Sequence, residues 1–174
     1  MRLAFEKVAM TGILRALGAL VFNYTASPLG REERDSKPSS PRPPECTVLA
    51  IDDDPAFVQI LRTVLREEGF NVLTSTSGPK GLDMLRYAPR DIRVVLLDYN
   101  MPQLNGAETL RYLRELSPNV RVIAVTGVDI NLLPESFRDG VDRFMRKPFQ
   151  TRDLIDAIRS VIDNSAPAQA TGNN

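Results

Sequence analysis

Between residues 46 and 164 the chain alternates two patterns: short unbroken apolar runs, then segments whose apolar residues recur every three or four positions. The run "TVLAI" (47–51) shows no polar alternation, as expected of a strand covered on both faces. Val58, Leu61 and Leu65 follow at helical spacing, and Gly69 closes that segment. "NVLTST" reads as a second strand, and "PKGLDMLRYA" as a helix with Leu82 and Leu85 inward. "RVVLLD" is the strongest strand pattern, followed by a helix, "AETLRYLREL", and a strand, "VRVIAVT". A weaker helix over 131–139, interrupted by Pro134, leads to a short strand, "VDRFM". The last helix, "RDLIDAIRSVID", takes Thr151 as its N-cap. Strand then helix, five times over with short connections, predicts an α/β fold: an open, doubly wound, five-stranded parallel sheet with helices on both faces.

The flanks read differently. Residues 28–45, "PLGREERDSKPSSPRPPE", hold five of the thirteen prolines together with serine and charge. Such a stretch buries too little apolar surface to offset its ordering entropy, so it is expected to be a linker between an N-terminal extension (1–27) and the domain (46–164). The small polar tail 165–174 is expected to be disordered. In the extension, Met10, Ile13, Leu14, Leu17, Leu20 and Val21 recur at helical spacing, and Lys7, Thr11 and Arg15 mark a polar stripe. The apolar stretch Val8 to Phe22 is shorter than the roughly 20 residues that span a bilayer, and it contains Arg15. Three readings stand: an amphipathic helix making weak contact with a membrane or a partner helix, a signal peptide, or a poorly ordered extension upstream of the true translation start. The last is preferred.

Composition narrows the chemistry. Lys+Arg and Asp+Glu both count 22, so no global field draws the chain to nucleic acid or anionic lipid, and no direct nucleic-acid binding is expected. A lone cysteine, Cys46, allows no internal disulfide and fits a reducing cytoplasm. With no histidine, the chain itself offers no His-based catalysis and no His-ligated metal.

In open parallel sheets ligands bind beyond the carboxyl ends of the strands. The first strand ends in Asp52-Asp53-Asp54, the third in Asp98, the fourth in Thr126-Gly127, and Lys147-Pro148 follows the fifth. Adjacent unpaired carboxylates are costly to bury, and a hard cation with oxygen ligands relieves the crowding. Mg²⁺ suits one or two carboxylates with waters and a phosphate, and Mn²⁺ could substitute. Beside such a metal, Asp53 and Asp98 stay ionised, Asp52 orients a coordinated water, and a carboxylate becomes a nucleophile towards a phosphoryl group. An ammonium and a hydroxyl would stabilise the phosphoryl oxygens. Asp54, before Pro55, suits a turn or a helix N-terminus.

Together "VLAIDDDP", "VVLLDYNMPQLNG", "VIAVTG" and "FMRKPF" resemble the receiver domain of two-component response regulators, over about residues 47–163. The intervals of 45, 28 and 21 residues that separate Asp53, Asp98, Thr126 and Lys147 are similar to those of the family. The resemblance implies a flavodoxin-like (βα)₅ fold, Asp98 as phosphoacceptor, and Asp52 and Asp53 holding Mg²⁺ with the Asn100 backbone carbonyl. It further implies Thr126 as the switch hydroxyl, Lys147 as the cation on the phosphoryl oxygens, and Phe144 as the switch aromatic. Lys147-Pro148 matches a join that is often cis in the family. Gly127 departs from an alanine common there, and Pro134 weakens the fourth helix, which leaves the output surface open.

The function so implied is a phosphorylation-controlled switch. It would take a phosphoryl group from a sensor histidine kinase or a histidine phosphotransfer protein and shift the face of helix four, strand five and helix five towards an unknown downstream protein. It would catalyse only its own phosphoryl transfer and autodephosphorylation, and too few residues remain for a covalent output domain. Two alternatives stand beside it. A haloacid-dehalogenase-like Mg²⁺-dependent phosphatase needs a second acid two residues after its nucleophile, where this chain has Asn100. A phosphorylation-independent adaptor on the same scaffold would not need its acids, Thr126 and Lys147 intact.

Overall fold

A computed structural model describes residues 46–87 and 91–163. The extension, the linker and the tail expected at 1–27, 28–45 and 165–174 lie outside the described residues. Five strands, β1 (Thr47–Ile51), β2 (Asn71–Ser75), β3 (Ile92–Leu97), β4 (Arg121–Thr126) and β5 (Arg143–Arg146), form one sheet. Every pairing is parallel, in the order β2-β1-β3-β4-β5. The helices are α1 (Pro55–Glu67), α2 (Gly78–Tyr87), α3 (Gly106–Leu116), α4 (Glu135–Gly140) and α5 (Thr151–Asp163). The expected architecture is the observed one.

The unbroken apolar strands follow from burial on both sides. In β1, Val48 and Ala50 face a cluster with Phe57, Leu61 and Leu65 of α1 and Ile155 and Ile158 of α5. Leu49 and Ile51 face the opposite cluster, with Leu82 and Leu85 of α2, Leu110 and Leu113 of α3 and Phe137 of α4. β3 divides the same way, Val94 and Leu96 to one side and Val95 and Leu97 to the other. Helix α1 starts on Asp54, whose carboxylate accepts from the Ala56 and Phe57 amides, with Pro55 in the first turn. It closes before Gly69, at φ 92°. Asn105 and Glu108 cap α3 reciprocally.

One detail differs from expectation. The Gln150 carbonyl receives the first hydrogen bond of α5, from the Leu154 amide, so Gln150 occupies the cap position and Thr151 is the first helical residue. The weak fourth helix is divided: a 3₁₀ turn at Ile130–Leu132 precedes α4, which is only six residues long. Pro134 makes the division because it has no amide to give an upstream carbonyl, while its own carbonyl accepts from Phe137 and Arg138.

At the amino end of the sheet, Asp142 ties distant segments together. One carboxylate oxygen accepts from the Val122 amide and from Arg114 of α3, and the other from Arg121 of β4. Its own amide donates to the Val122 carbonyl, so the side chain carries the β4 pairing one step beyond β5. Arg114 also donates to the Gly140, Pro118 and Val120 carbonyls. Burial alone would raise the Asp142 pKa, but the Val122 amide, Arg121 and Arg114 outweigh it and hold the carboxyl below its usual value. A depressed folded-state pKa stabilises the fold above the unfolded value, and that contribution is lost as the pH falls through the folded one. Asp142→Ala should therefore cost about 2 kcal/mol in urea unfolding at neutral pH. Against Asp142→Asn, the wild-type advantage should hold down to about pH 4 and shrink below it.

Candidate phosphoryl and metal pocket

Sheet hydrogen bonding continues past the strand ends and fixes the residues there. The Asp52 amide donates to Ser75, the Asp98 amide to Ile51, and the Lys147 amide to the carbonyl of Thr126. Each candidate is thus locked in register beside its neighbour, at the carboxyl edge of the sheet. One carboxylate oxygen from each of Asp52, Asp53 and Asp98 lies within 4.8 Å of the others. Asp52 and Asp98 are buried, and Asp53 is half-buried at the rim.

Lys147 reaches across from the β5–α5 connection. Its ammonium donates to Asp52 Oδ2 at 2.5 Å and to Asp98 Oδ1 at 3.0 Å. The second Asp52 oxygen accepts from the Asp54 amide at 3.0 Å, so Asp54 itself turns away to cap α1. Burial pushes the Asp52 carboxyl up to about 6; Lys147 pulls it down, and the charge of Asp98 adds to the rise. The peptide bond between Lys147 and Pro148 is cis. A hard divalent cation fits this donor set: convergent carboxylate oxygens, two of the acids buried, with one cationic side chain already between two of them.

The remaining candidates surround the acids. Thr126 is buried at the end of β4, and its hydroxyl accepts from the Val128 amide at 3.1 Å. Asn100 is exposed in the turn after Asp98. Phe144 is half-buried on β5 and meets Phe137 edge to face, with centroids 6.2 Å apart. Phe137 also contacts Tyr99, the residue after Asp98, at 5.0 Å. Asp52, Asp53, Asp98 and Lys147 therefore converge directly, while Thr126, Asn100 and Phe144 lie around them.

Three contributors lie outside the candidate set. Phe57 lies under the Lys147 ammonium, 4.3 Å from ring centroid to Nζ, yet its position reads as ordinary helix core. Phe137 links the loop after Asp98 to Phe144. Gly106 starts α3 against that same loop: a Cβ there would stand 2.6 Å from the Asp98 carbonyl and 2.7 Å from the Tyr99 Cα. The Gly106 amide donates to the Tyr99 carbonyl across this close approach. The "NG" after the acidic strand end was the visible signal for it.

Comparison with known proteins shows the family. Residues 48–159 match the response regulator receiver domain family. The cell cycle transcriptional regulator CtrA of Caulobacter vibrioides is 35% identical over 119 residues, 68% of this chain and 51% of that protein. The CpxR homolog of Haemophilus influenzae, a transcriptional regulatory protein, is 39% identical over 121 residues, with the same two shares. The chain thus spans about half the length of the curated relatives it matches. Among solved structures, a response regulator receiver domain protein from Clostridium thermocellum aligns with a TM-score of 0.64 and 32% identity, over 68% of this chain and 95% of that one. The CheY of a CheX-CheY complex from Borrelia burgdorferi, with BeF₃ and Mg²⁺, aligns at 0.64 and 26%, over 71% and 98%. By its family match and by this geometry, the chain belongs to the response regulator receiver domains of two-component signalling.

Proposed function

We propose that this receiver domain is a phosphorylation-controlled switch in which Asp98 takes a phosphoryl group from a histidine kinase or a histidine phosphotransfer protein. The observation that carries the reading is Lys147, bonded at once to Asp52 and Asp98 beside Asp53 in a buried pocket. A carboxylate oxygen of Asp98 attacks phosphorus, the P–N bond of the donor's phosphohistidine breaks, and its electron pair returns to the donor imidazole. The product is an acyl phosphate on Asp98. Asp52, Asp53, Asp98 and the Asn100 carbonyl would hold Mg²⁺, or Mn²⁺ in its place. Bound there, the ion neutralises the acids and the phosphoryl oxygens. That the B. burgdorferi complex contains BeF₃ and Mg²⁺ supports this reading. Lys147 supplies the second positive charge to the phosphoryl oxygens, and Thr126 exchanges its bond with Val128 for one to the phosphoryl group.

The acyl phosphate carries about −1.5 to −2 charges where the Asp98 carboxylate carried one, in a pocket that was already acidic. Movement of Thr126 vacates space into which Phe144 turns, and a population shift follows over α4, β5 and α5. That face then binds a downstream protein. The receiver match and the absence of an acid at Asn100 favour a switch over a phosphatase, and the complete pocket favours phosphorylation over a passive adaptor. No described helix is long and apolar enough to cross a membrane.

Asp98→Asn should abolish labelling by acetyl phosphate and Mg²⁺; stoichiometric labelling retained in that variant refutes the assignment. In the switch loop, a Cβ at Gly127 would meet no atom within 4 Å, and the residue does not need a positive φ. Gly127→Ala should therefore stabilise the domain by about 0.4–1 kcal/mol in urea unfolding, by restricting the unfolded chain.

A further inference from the structure

Lys147 has a third partner besides its two carboxylates. Its ammonium sits over the ring of Phe57, 4.3 Å from the centroid, within the range of a cation–π contact. Phe57 is 2% exposed and lies in the first turn of α1. Its amide donates to Asp54 Oδ1 at 3.2 Å, so the cap that starts the helix also sets where the ring emerges. Phe149, two residues after Lys147, meets the same ring at 6.2 Å and 78°. The ring is thereby anchored on its own helix and braced from the segment that carries the lysine.

An aliphatic side chain would fill this space equally well, but it would offer the ammonium no negative face. A carboxylate would hold the ammonium more strongly but would compete with Asp98 for it. An aromatic face attracts the cation while leaving its donors for oxygen, and here the lysine side chain is largely buried. We infer that Phe57 is a positioning residue for Lys147, its ring face holding the ammonium aimed at Asp98 before the phosphoryl group arrives. This rests on the reading of Asp98 as phosphoacceptor. It also gives the third aspartate of the "DDD" run an indirect part in the chemistry: Asp54 caps α1, α1 presents Phe57, and Phe57 holds Lys147.

Two variants separate a π contact from mere packing. Phe57→Leu removes the ring, and 3,4,5-trifluorophenylalanine at position 57 keeps its shape but depletes its face of negative charge. NMR signals of the Lys147 ε-methylene, assigned by their loss in Lys147→Arg, should lie upfield in the wild type and return to the ordinary lysine position in Phe57→Leu. Phosphorylation by acetyl phosphate at saturating Mg²⁺ should slow roughly 3- to 30-fold in both variants, with Mg²⁺ affinity changed less than about twofold. Ordinary Lys147 signals in the wild type, or wild-type rates in the fluorinated variant, overturn the inference. Should the wild type itself take up no phosphoryl group, the switch reading fails instead, and the Lys147 signals alone decide the ring contact.

Discussion

Three acids meet one ammonium at the carboxyl edge of the sheet, and the arithmetic of that meeting governs the site. Lys147 bonds Asp52 and Asp98 and can offset one negative charge, while Asp53 stands within reach of the same point. At Asp52 burial, with a smaller contribution from the Asp98 charge, outweighs the lysine and pushes the carboxyl up to about 6. A pocket in this state is poised to take up positive charge and to gain from a ligand that brings its own cation. The fold tolerates the imbalance because hydrogen bonding holds the backbone of each strand end, so repulsion among the side chains cannot spread the acids apart.

That backbone rigidity has its source in the core. Central strands buried on both faces leave their peptide groups no solvent to turn to, and the parallel ladder must satisfy them. The candidates Asp52, Asp98 and Lys147 are the first residues past the ends of their strands, held by the ladder's last bonds. At the opposite edge Asp142 and the two arginines bind the chain returning into β5, which keeps the strand bearing Phe144 in register with β4. Chemistry at one edge and anchorage at the other are consequences of the same sheet.

Much of this was legible in the sequence for a definite reason: a parallel sheet converts one-dimensional periods into positions. "RVVLLD" could only be a strand buried on both faces, and the acid after it could only project from the carboxyl edge. The division of the fourth helix was legible through Pro134, whose missing amide acts locally. Contacts between residues far apart in sequence left no such trace. Asp142 meets Val122 and Arg114 at separations of 20 and 28 residues, and nothing in "VDRFM" announces it. Phe57 looked like any apolar residue on an amphipathic helix, because burial and cation binding call for the same side chain. The start of α5 escaped too, since Gln150 caps through its backbone and Thr151 is the better cap by side-chain type.

Helix α4 is held by very little. Six residues form few internal hydrogen bonds, no side chain caps its first turn, and Phe137 is its one buried side chain. That ring touches Tyr99 on one side and Phe144 on the other, while Ile130 and Leu132 stand in solvent just before it. At its far end the Gly140 carbonyl accepts twice from Arg114, so the helix is fastened at its middle and at its last residue. The Phe137 ring is shared with the loop after Asp98 and with β5, so it joins both to a surface that shows two uncovered apolar side chains.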